Sequence, residues 1–414
     1  MPESFSKASL GEIADLFMGQ SPDSRFVHEG LDQGLPFLQG NGEFGDQHPE
    51  PMYSCAQPAR TCQKDDVLIS VRAPVGEINL ADMDYCIGRG LAAIRFHDIP
   101  PALGQKLVAK FGPELRRVAQ GTTFEAIGKK ELSSLNLLVP PKSERHLIAQ
   151  ILDTLDTQIR QTEALIAKLE RIKQGLLADL LTRGIDHNGQ LRLAPDQAPN
   201  RYKDSPLGWI PREWEIAYVG EVGDVVTGST PPSSDPSAWG DALPFFTPSD
   251  VVDYVPMQTA ERAISDRGRQ YVRKIPSGST LVVCIGSTIG KVGFTARPGA
   301  TNQQINAVLP TSAWNDYFVF QAVLTYVDQI LLWAGLQAVP IVNKSTFSRM
   351  LIPQPRLDEQ TAISEKIRSV DNRIFDERSA ITKLSKEKSG LMDELLIGRV
   401  RVTPLLEAKE RATA

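Results

Sequence analysis

The sequence predicts an α+β protein built as a duplication: two pseudo-symmetric α/β modules, each followed by a long helix. Three observations carry that prediction. Segments near the start recur in the second half at a nearly fixed offset. Two long stretches carry apolar residues at alternating steps of three and four. Between them lie short β-rich runs broken by Gly and Pro turns.

Gly11-Glu-Ile-Ala-Asp-Leu-Phe-Met-Gly-Gln-Ser-Pro22 matches Gly220-Glu-Val-Gly-Asp-Val-Val-Thr-Gly-Ser-Thr-Pro231 at an offset of 209, with five identities in twelve. Pro2-x-x-Phe5 stands opposite Pro211-x-x-Trp214, and Leu35-Pro-Phe37 opposite Leu243-Pro-Phe245. Val67–Val71 is paired with Leu281–Ile285, each run followed by Gly76 or Gly290. Helical stretches are expected near Ala102–Arg117 and Tyr317–Leu332.

The long helices repeat at an offset of 215. Ile148, Leu152, Leu155, Ile159, Ile166, Leu169, Leu176 and Leu180 correspond to Ile363, Ile367, Val370, Ile374, Ile381, Leu384, Leu391 and Leu395. That is the heptad spacing of a coiled-coil seam. Two heptad helices resemble each other by chance, so the informative matches are off-pattern: Lys173 with Lys388, and Gly175 with Gly390. Ser143 and Asp358 are the expected N-caps, Glu144 and Glu359 favour the helix dipole in the first turn, and Gly184 and Gly398 suit a left-handed C-cap.

These features divide the chain into a first module (1–142), a first heptad helix (143–184), a polar connector (185–205), a second module (206–356), a second heptad helix (357–398) and a tail (399–414). Cys55, Cys62, Cys86 and Cys284 share no metal-ligand spacing and suit a reducing cytoplasm. No basic start precedes an apolar stretch, so no secretory signal is expected. The greasiest segment, Phe318–Leu336, is interrupted by Gln321, Asp328 and Gln329 and reads as a core helix, not a membrane span.

Pro355-Arg-Leu-Asp-Glu-Gln360, Gly208-Trp-Ile-Pro-Arg-Glu-Trp214 and Gly228-Ser-Thr-Pro231, set within this order, resemble the specificity subunits of type I restriction–modification systems. The first half departs somewhat, with Pro140-Pro-Lys-Ser-Glu-Arg145 and Gly19-Gln-Ser-Pro22 at the matching places. The resemblance covers nearly the whole chain. It implies that the modules are target-recognition domains, each reading one half of a split, asymmetric DNA site. It implies that the helices form an antiparallel coiled coil that spaces the domains and docks two methyltransferase subunits. Restriction and motor subunits join in the full complex, and catalysis belongs to the partners. Given antiparallel packing, a symmetry centre between residues 167 and 168 would set Lys173 against Glu377; the alternative is that both side chains snorkel to water.

Charge gives that reading little help. The net charge is −5, with 14 Lys+Arg against 18 Asp+Glu in residues 1–142 and 11 against 12 in residues 206–356. A DNA footprint must therefore be local or shared with a partner. Arg262, Arg267, Arg269, Arg273 and Lys274 form the best basic run, equally readable as a solvated charged face. Matched loop positions supply the candidate DNA contacts: Gln20 and Ser21 with Ser229 and Thr230; Arg72 with Ser287 and Lys291; Arg89 with Asn302 and Gln303; Lys129 and Lys130 with Asn343 and Lys344. Each has a structural alternative: Thr230 can cap the turn before Pro231, and Arg72 and Arg89 can pair with local acids.

Catalytic chemistry is not expected. Gly40-Asn-Gly-Glu-Phe-Gly45 matches a dinucleotide fingerprint, but Asp46–Pro51 cannot open the helix such a loop requires, so it reads as a turn. The five histidines stand alone, and neither a Walker loop nor the Asn/Asp-Pro-Pro-aromatic run of adenine methyltransferases is present. No cofactor and no metal are expected. A coiled-coil scaffold that binds protein without reading DNA is the alternative function.

Overall fold

The computed structural model describes residues 4–112, 115, 117, 126–253, 256–335 and 340–413. The chain divides into two compact units, residues 1–161 with 382–414, and residues 162–381. Each unit holds one α/β module and a stretch of both long helices.

In the first unit a four-stranded antiparallel sheet is formed by β1 (Ala14–Met18), β2 (Val67–Ser70), β3 (Ile78–Leu80) and β4 (Leu91–Phe96), in the order β1-β4-β2-β3. Alternation along the strands sends side chains to two faces. Val67, Ile69 and Ile94 pack with Leu103 and Leu107 of helix Pro101–Phe111, while Leu68, Leu91 and Ala93 pack with Leu38, Tyr85 and Ile87 of a second, five-stranded sheet. The second unit repeats this plan with β5 (Gly223–Thr227), β6 (Thr280–Val283), β7 (Val292–Phe294) and β8 (Ile305–Pro310), in the order β5-β8-β6-β7. In both units the strand that precedes the long helix, Asn136–Val139 or Leu351–Gln354, pairs with a strand near the module's start, Ser6–Ser9 or Glu215–Tyr218.

One repeat alignment needs shifting. Val71 donates to the Gly90 carbonyl as Cys284 does to that of Gln304, so Val67–Val71 corresponds to Thr280–Cys284 and not to Leu281–Ile285. A one-residue slip exchanges the two faces of a strand, and the faces agree only in the shifted register: Val67, Ile69 and Val71 lie in the helix-side core, as do Val282 and Cys284.

Helix Pro101–Phe111 stands where Ala102–Arg117 was expected, residues 113, 114 and 116 lying outside the described residues. The second stretch is two helices, Asp316–Thr325 and Asp328–Ala334, bent by 51°. Leu336 of the greasy segment is likewise outside the described residues. Phe318, Val319, Ala322 and Val323 are buried in the core, and among the described residues no single helix is long and apolar enough to cross a membrane. Asn41–Glu43 within the glycine-rich run is a short 3-10 turn.

The long helices span Lys142–Thr182 and Leu357–Leu396. The first opens one residue before its expected bound and the second at its expected residue 357, so Ser143 and Asp358 sit inside the first turn and are not the N-caps. Gly184 and Gly398 close them with φ of 64° and 74°. Within each unit the two helices pair antiparallel: Ile148 and Leu152 share a core with Leu395 and Leu396 in the first, and Leu180 and Leu181 with Ile363 and Ile367 in the second.

The register differs from the expected one. Lys173 is bound by Asp371 at 2.7 Å, whereas Glu377 pairs along its own helix with Arg373. A heptad pattern repeats when shifted by seven residues, so apolar spacing leaves the choice open; the seam lysine settles it by finding the carboxylate that burial leaves within reach. The repeat equivalents do the same in the other unit, where Lys388 is bound by Asp156.

Each aspartate also receives a group from its own module. Lys106 donates to Asp156 at 2.6 Å, and Tyr317 and Gln321 donate to Asp371. Burial works to raise the Asp156 carboxyl, but the Lys106 and Lys388 hydrogen bonds outweigh it and hold the group below its ordinary value. Burial, aided by the Asp371 charge, pushes the Tyr317 hydroxyl well above the usual phenol range, so it remains a donor.

A second matched pair of acids clasps the helix starts. Glu144 accepts from Arg401 at 3.0 Å and from the Thr403 amide. Glu359 accepts from the Ile185 amide, the Arg192 guanidinium and the Trp214 indole.

Candidate nucleic-acid interface

Antiparallel pairing determines which loops meet. Met18 stands opposite Ala92, and Leu91 opposite Ser70, so the end of β1, the turn before β4 and the end of β2 share one end of the sheet. The chain returns there after Ala126, which bridges Arg72, while the Ile127 amide donates to Val71. Gln20, Ser21, Arg72, Arg89, Lys129 and Lys130 thus gather at a single sheet end.

The second unit repeats that assembly. Thr227 faces Asn306, Val283 faces Ile305, and Ile285 bridges Ile341, which brings together Ser229, Thr230, Asn302, Gln303, Ser287, Lys291, Asn343 and Lys344. The bridges identify Ile285 as the counterpart of Arg72, in place of Ser287 or Lys291. The matching N-caps Gly128 and Asn343 set Lys129 against Lys344.

A glycine makes the assembly compact in both units. The Gly19 amide donates to the Leu91 carbonyl, and the Gly228 amide to that of Ile305. A Cβ on Gly19 would stand 2.1 Å from the Gly88 carbonyl oxygen, and one on Gly228 2.2 Å from that of Asn302. Only glycine admits backbone this close to backbone. The approach sets two hydroxyls beside the adjacent turn: Ser21 Oγ accepts from Arg89 Nε at 3.1 Å, and Thr230 Oγ1 donates to Gln303 Oε1 at 2.7 Å.

The other candidates divide by what holds them. Ser229 bridges the Tyr271 carbonyl and the Arg273 amide, Asn302 binds Gln304 within its own turn, and Asn343 accepts from Thr346 as a helix cap. Their polar atoms serve the fold. Lys291 reaches the Pro248 carbonyl at 3.4 Å. Gln20, Arg72, Lys129, Lys130, Ser287 and Lys344 are exposed, and among the described residues none makes a side-chain hydrogen bond or ion pair. No group of three metal-ligating side chains is present among the described residues, and all four cysteines are buried and free.

The basic run resolves into separate fates. Arg267 and Arg269 pair with Asp235 and Asp266, and Arg262 lies 3.4 Å over the Trp239 ring. Arg273 donates to the Thr227 carbonyl, which brings it to the sheet end beside Ser229. Arg273 is not among the matched loop positions because its place comes from a contact distant in sequence. Its position in the basic run was the available signal.

A sheet end presenting exposed cations and amides thus recurs in both units, each of which also holds a pair of antiparallel helix segments. The model of the type I restriction modification DNA specificity domain matches residues 2–171 and 211–383, and the chain belongs to that family, whose subunits are the non-catalytic, DNA-recognising components of their systems. It is 34% identical over 197 residues to the putative type I restriction enzyme MjaX specificity subunit of Methanocaldococcus jannaschii, a match covering 44% of this chain and about half, 46%, of that relative. To the HindI specificity subunit of Haemophilus influenzae it is 26% identical over 333 residues, 67% of this chain and 72% of the relative. In fold it is similar to the crystal structure of a type I system S subunit from M. genitalium, with a TM-score of 0.66, 13% identity and coverage of 95% and 96% of the two chains.

Proposed function

We propose that this chain is the specificity subunit of a cytoplasmic type I restriction–modification assembly and recognises a bipartite, asymmetric DNA target. Residues 1–142 and 206–356 act as the two target-recognition domains, each reading one half-site through its sheet end. The paired helices serve as spacer and as the docking surface for two methyltransferase subunits, with restriction and motor subunits completing the assembly. The observation that carries this reading is the repetition of one loop assembly with different side chains, exposed Arg72 and Arg89 in one copy against half-buried Ile285 and exposed Gln303 in the other. The same backbone with different donors and acceptors suits two different base sequences. Because neither module is basic as a whole, affinity for phosphate is shared with the methyltransferases.

The test pairs this chain with its methyltransferase and reads methylated positions by sequencing. Exchanging residues 1–142 for those of a relative changes one half-site and leaves the other intact. Inserting one heptad into each long helix, about 10 Å of rise, changes the spacer. Methylation without sequence preference, or an exchange that alters neither half-site, refutes the reading.

A further inference from the structure

We propose that turn positions 89 and 303 are specificity-determining residues, Arg89 reading a guanine in the first module's half-site and Gln303 an adenine in the second's. The inference rests on the DNA-reading function above and assigns base chemistry to two of its side chains.

Four backbone hydrogen bonds build the same frame twice. The Gly19 amide donates to the Leu91 carbonyl and the Gln20 amide to that of Ile87; the Gly228 amide donates to Ile305 and the Ser229 amide to Thr301. Within the turns, the Leu91 amide closes on Gly88 and the Ile305 amide on Asn302. Positions 89 and 303 are therefore the same place in the fold. Both side chains are exposed, and each is held by one polar atom, Arg89 Nε or Gln303 Oε1, against the hydroxyl that precedes Pro22 or Pro231.

What the hydroxyl leaves free differs. Ser21 Oγ takes the Nε–H of Arg89, and the terminal amino groups remain as a two-pronged donor without an acceptor among the described residues. Guanine offers the matching acceptor pair, O6 and N7, in the major groove. Thr230 gives its proton to Gln303 Oε1, which keeps its second lone pair, while Nε2 keeps both N–H groups. One acceptor beside one donor matches adenine, whose N6 amino group donates and whose N7 accepts. Anchoring each side chain before DNA arrives removes rotamers that binding would otherwise freeze.

The experiment uses the full chain with its methyltransferase subunits on a randomised plasmid library, reading methylated sites by sequencing. In the wild type one half-site carries an invariant guanine and the other an invariant adenine. Arg89→Gln converts one guanine to a preference for adenine, and Gln303→Arg converts one adenine in the opposite half-site to guanine. Each change shifts relative occupancy by roughly tenfold or more, with the remaining positions intact. Ser21→Ala and Thr230→Val, which release the anchors, weaken discrimination at those same positions without changing the preferred base. Unchanged base preference in both exchange variants overturns the assignment, as does uniform weakening on every sequence, which would mark a phosphate contact. A wild-type chain that directs methylation without any base preference instead overturns the DNA-reading function itself.

Discussion

Replacing Asp371 with Ala strips the second unit's helix pair of the acceptor that sets its register. The carboxylate side chain is 8% exposed and the Lys173 side chain 14%; it accepts from the Lys173 ammonium at 2.7 Å, from the Tyr317 hydroxyl at 2.5 Å and from the Gln321 amide at 3.3 Å. Removal leaves a largely buried ammonium and a buried phenol without their acceptor. Losing one partner of a buried pair costs about 3–5 kcal/mol. In a unit of this size each kcal/mol lowers the melting temperature by about 2–4 °C, so even the lower figure predicts a fall of about 6–12 °C in calorimetry. Removing both charges, as Lys173→Met with Asp371→Leu, restores most of the loss, because matched apolar groups carry no unpaired charge. The resulting double-mutant cycle gives a coupling of at least 1 kcal/mol, whereas the cycle on Lys173 and Glu377 gives none beyond the usual scatter of about 0.5 kcal/mol. Zero coupling for Lys173 with Asp371 would refute the register.

Acid weakens the first unit through Asp156 and Glu144. Both carboxyls are held below their ordinary values of 3.8 and 4.5: burial opposes this but is outweighed by the Lys106 and Lys388 hydrogen bonds in one case and those of Arg401 and Thr403 in the other. A group with a lowered folded value stabilises above its unfolded value and loses that contribution as pH falls through the folded one. Stability should therefore be flat above about pH 5 and fall steeply below about 4, and Asp156→Asn should shallow that acid limb in denaturant titrations. Gly19→Ala and Gly228→Ala each drive a Cβ into a carbonyl oxygen; a loss of about 2 kcal/mol or more is expected, with altered protection of the Leu91 or Ile305 turn in hydrogen exchange. Trp214→Phe removes the indole donor from Glu359 while keeping a buried ring, costing about 1–3 kcal/mol in urea unfolding.

The duplication, both long helices and the layered modules were legible because each rests on local periodicity or on repeated residues. Ile148 through Leu180 declare a helix whatever it packs against, and Gly19 with Gly228 mark a shared turn. Register was not legible, since heptads are indifferent to a shift of seven and only the buried environment distinguishes Asp371 from Glu377. The strand alignment failed by one residue for a similar reason: Val, Leu and Ile fill both faces of Val67–Val71, so composition hides which face is which. Among the candidate contacts, Ser21, Thr230, Arg89 and Gln303 were legible as matched loop residues. The capping role of Asn343 and the inward turn of Asn302 depend on geometry that residue type does not encode.

What the two halves share and where they differ follow from separate demands. Every antiparallel pairing of duplicated helices meets each seam residue with a partner from the other copy, so a lysine and an aspartate placed alike in both copies satisfy each other twice: Lys173 with Asp371, and Lys388 with Asp156. Substituting either member in one copy breaks one pair and leaves the other. Glu144 and Glu359 stand under the same constraint, since each clasps backbone amides and a guanidinium beyond a helix end. Among the described residues, Arg89 and Gln303 make their side-chain hydrogen bonds within their own module. Their hydroxyl anchors are local, so exchanging arginine and glutamine there is expected to leave the frame intact. Substitution at the turn is therefore expected to disturb the fold less than substitution in the seam.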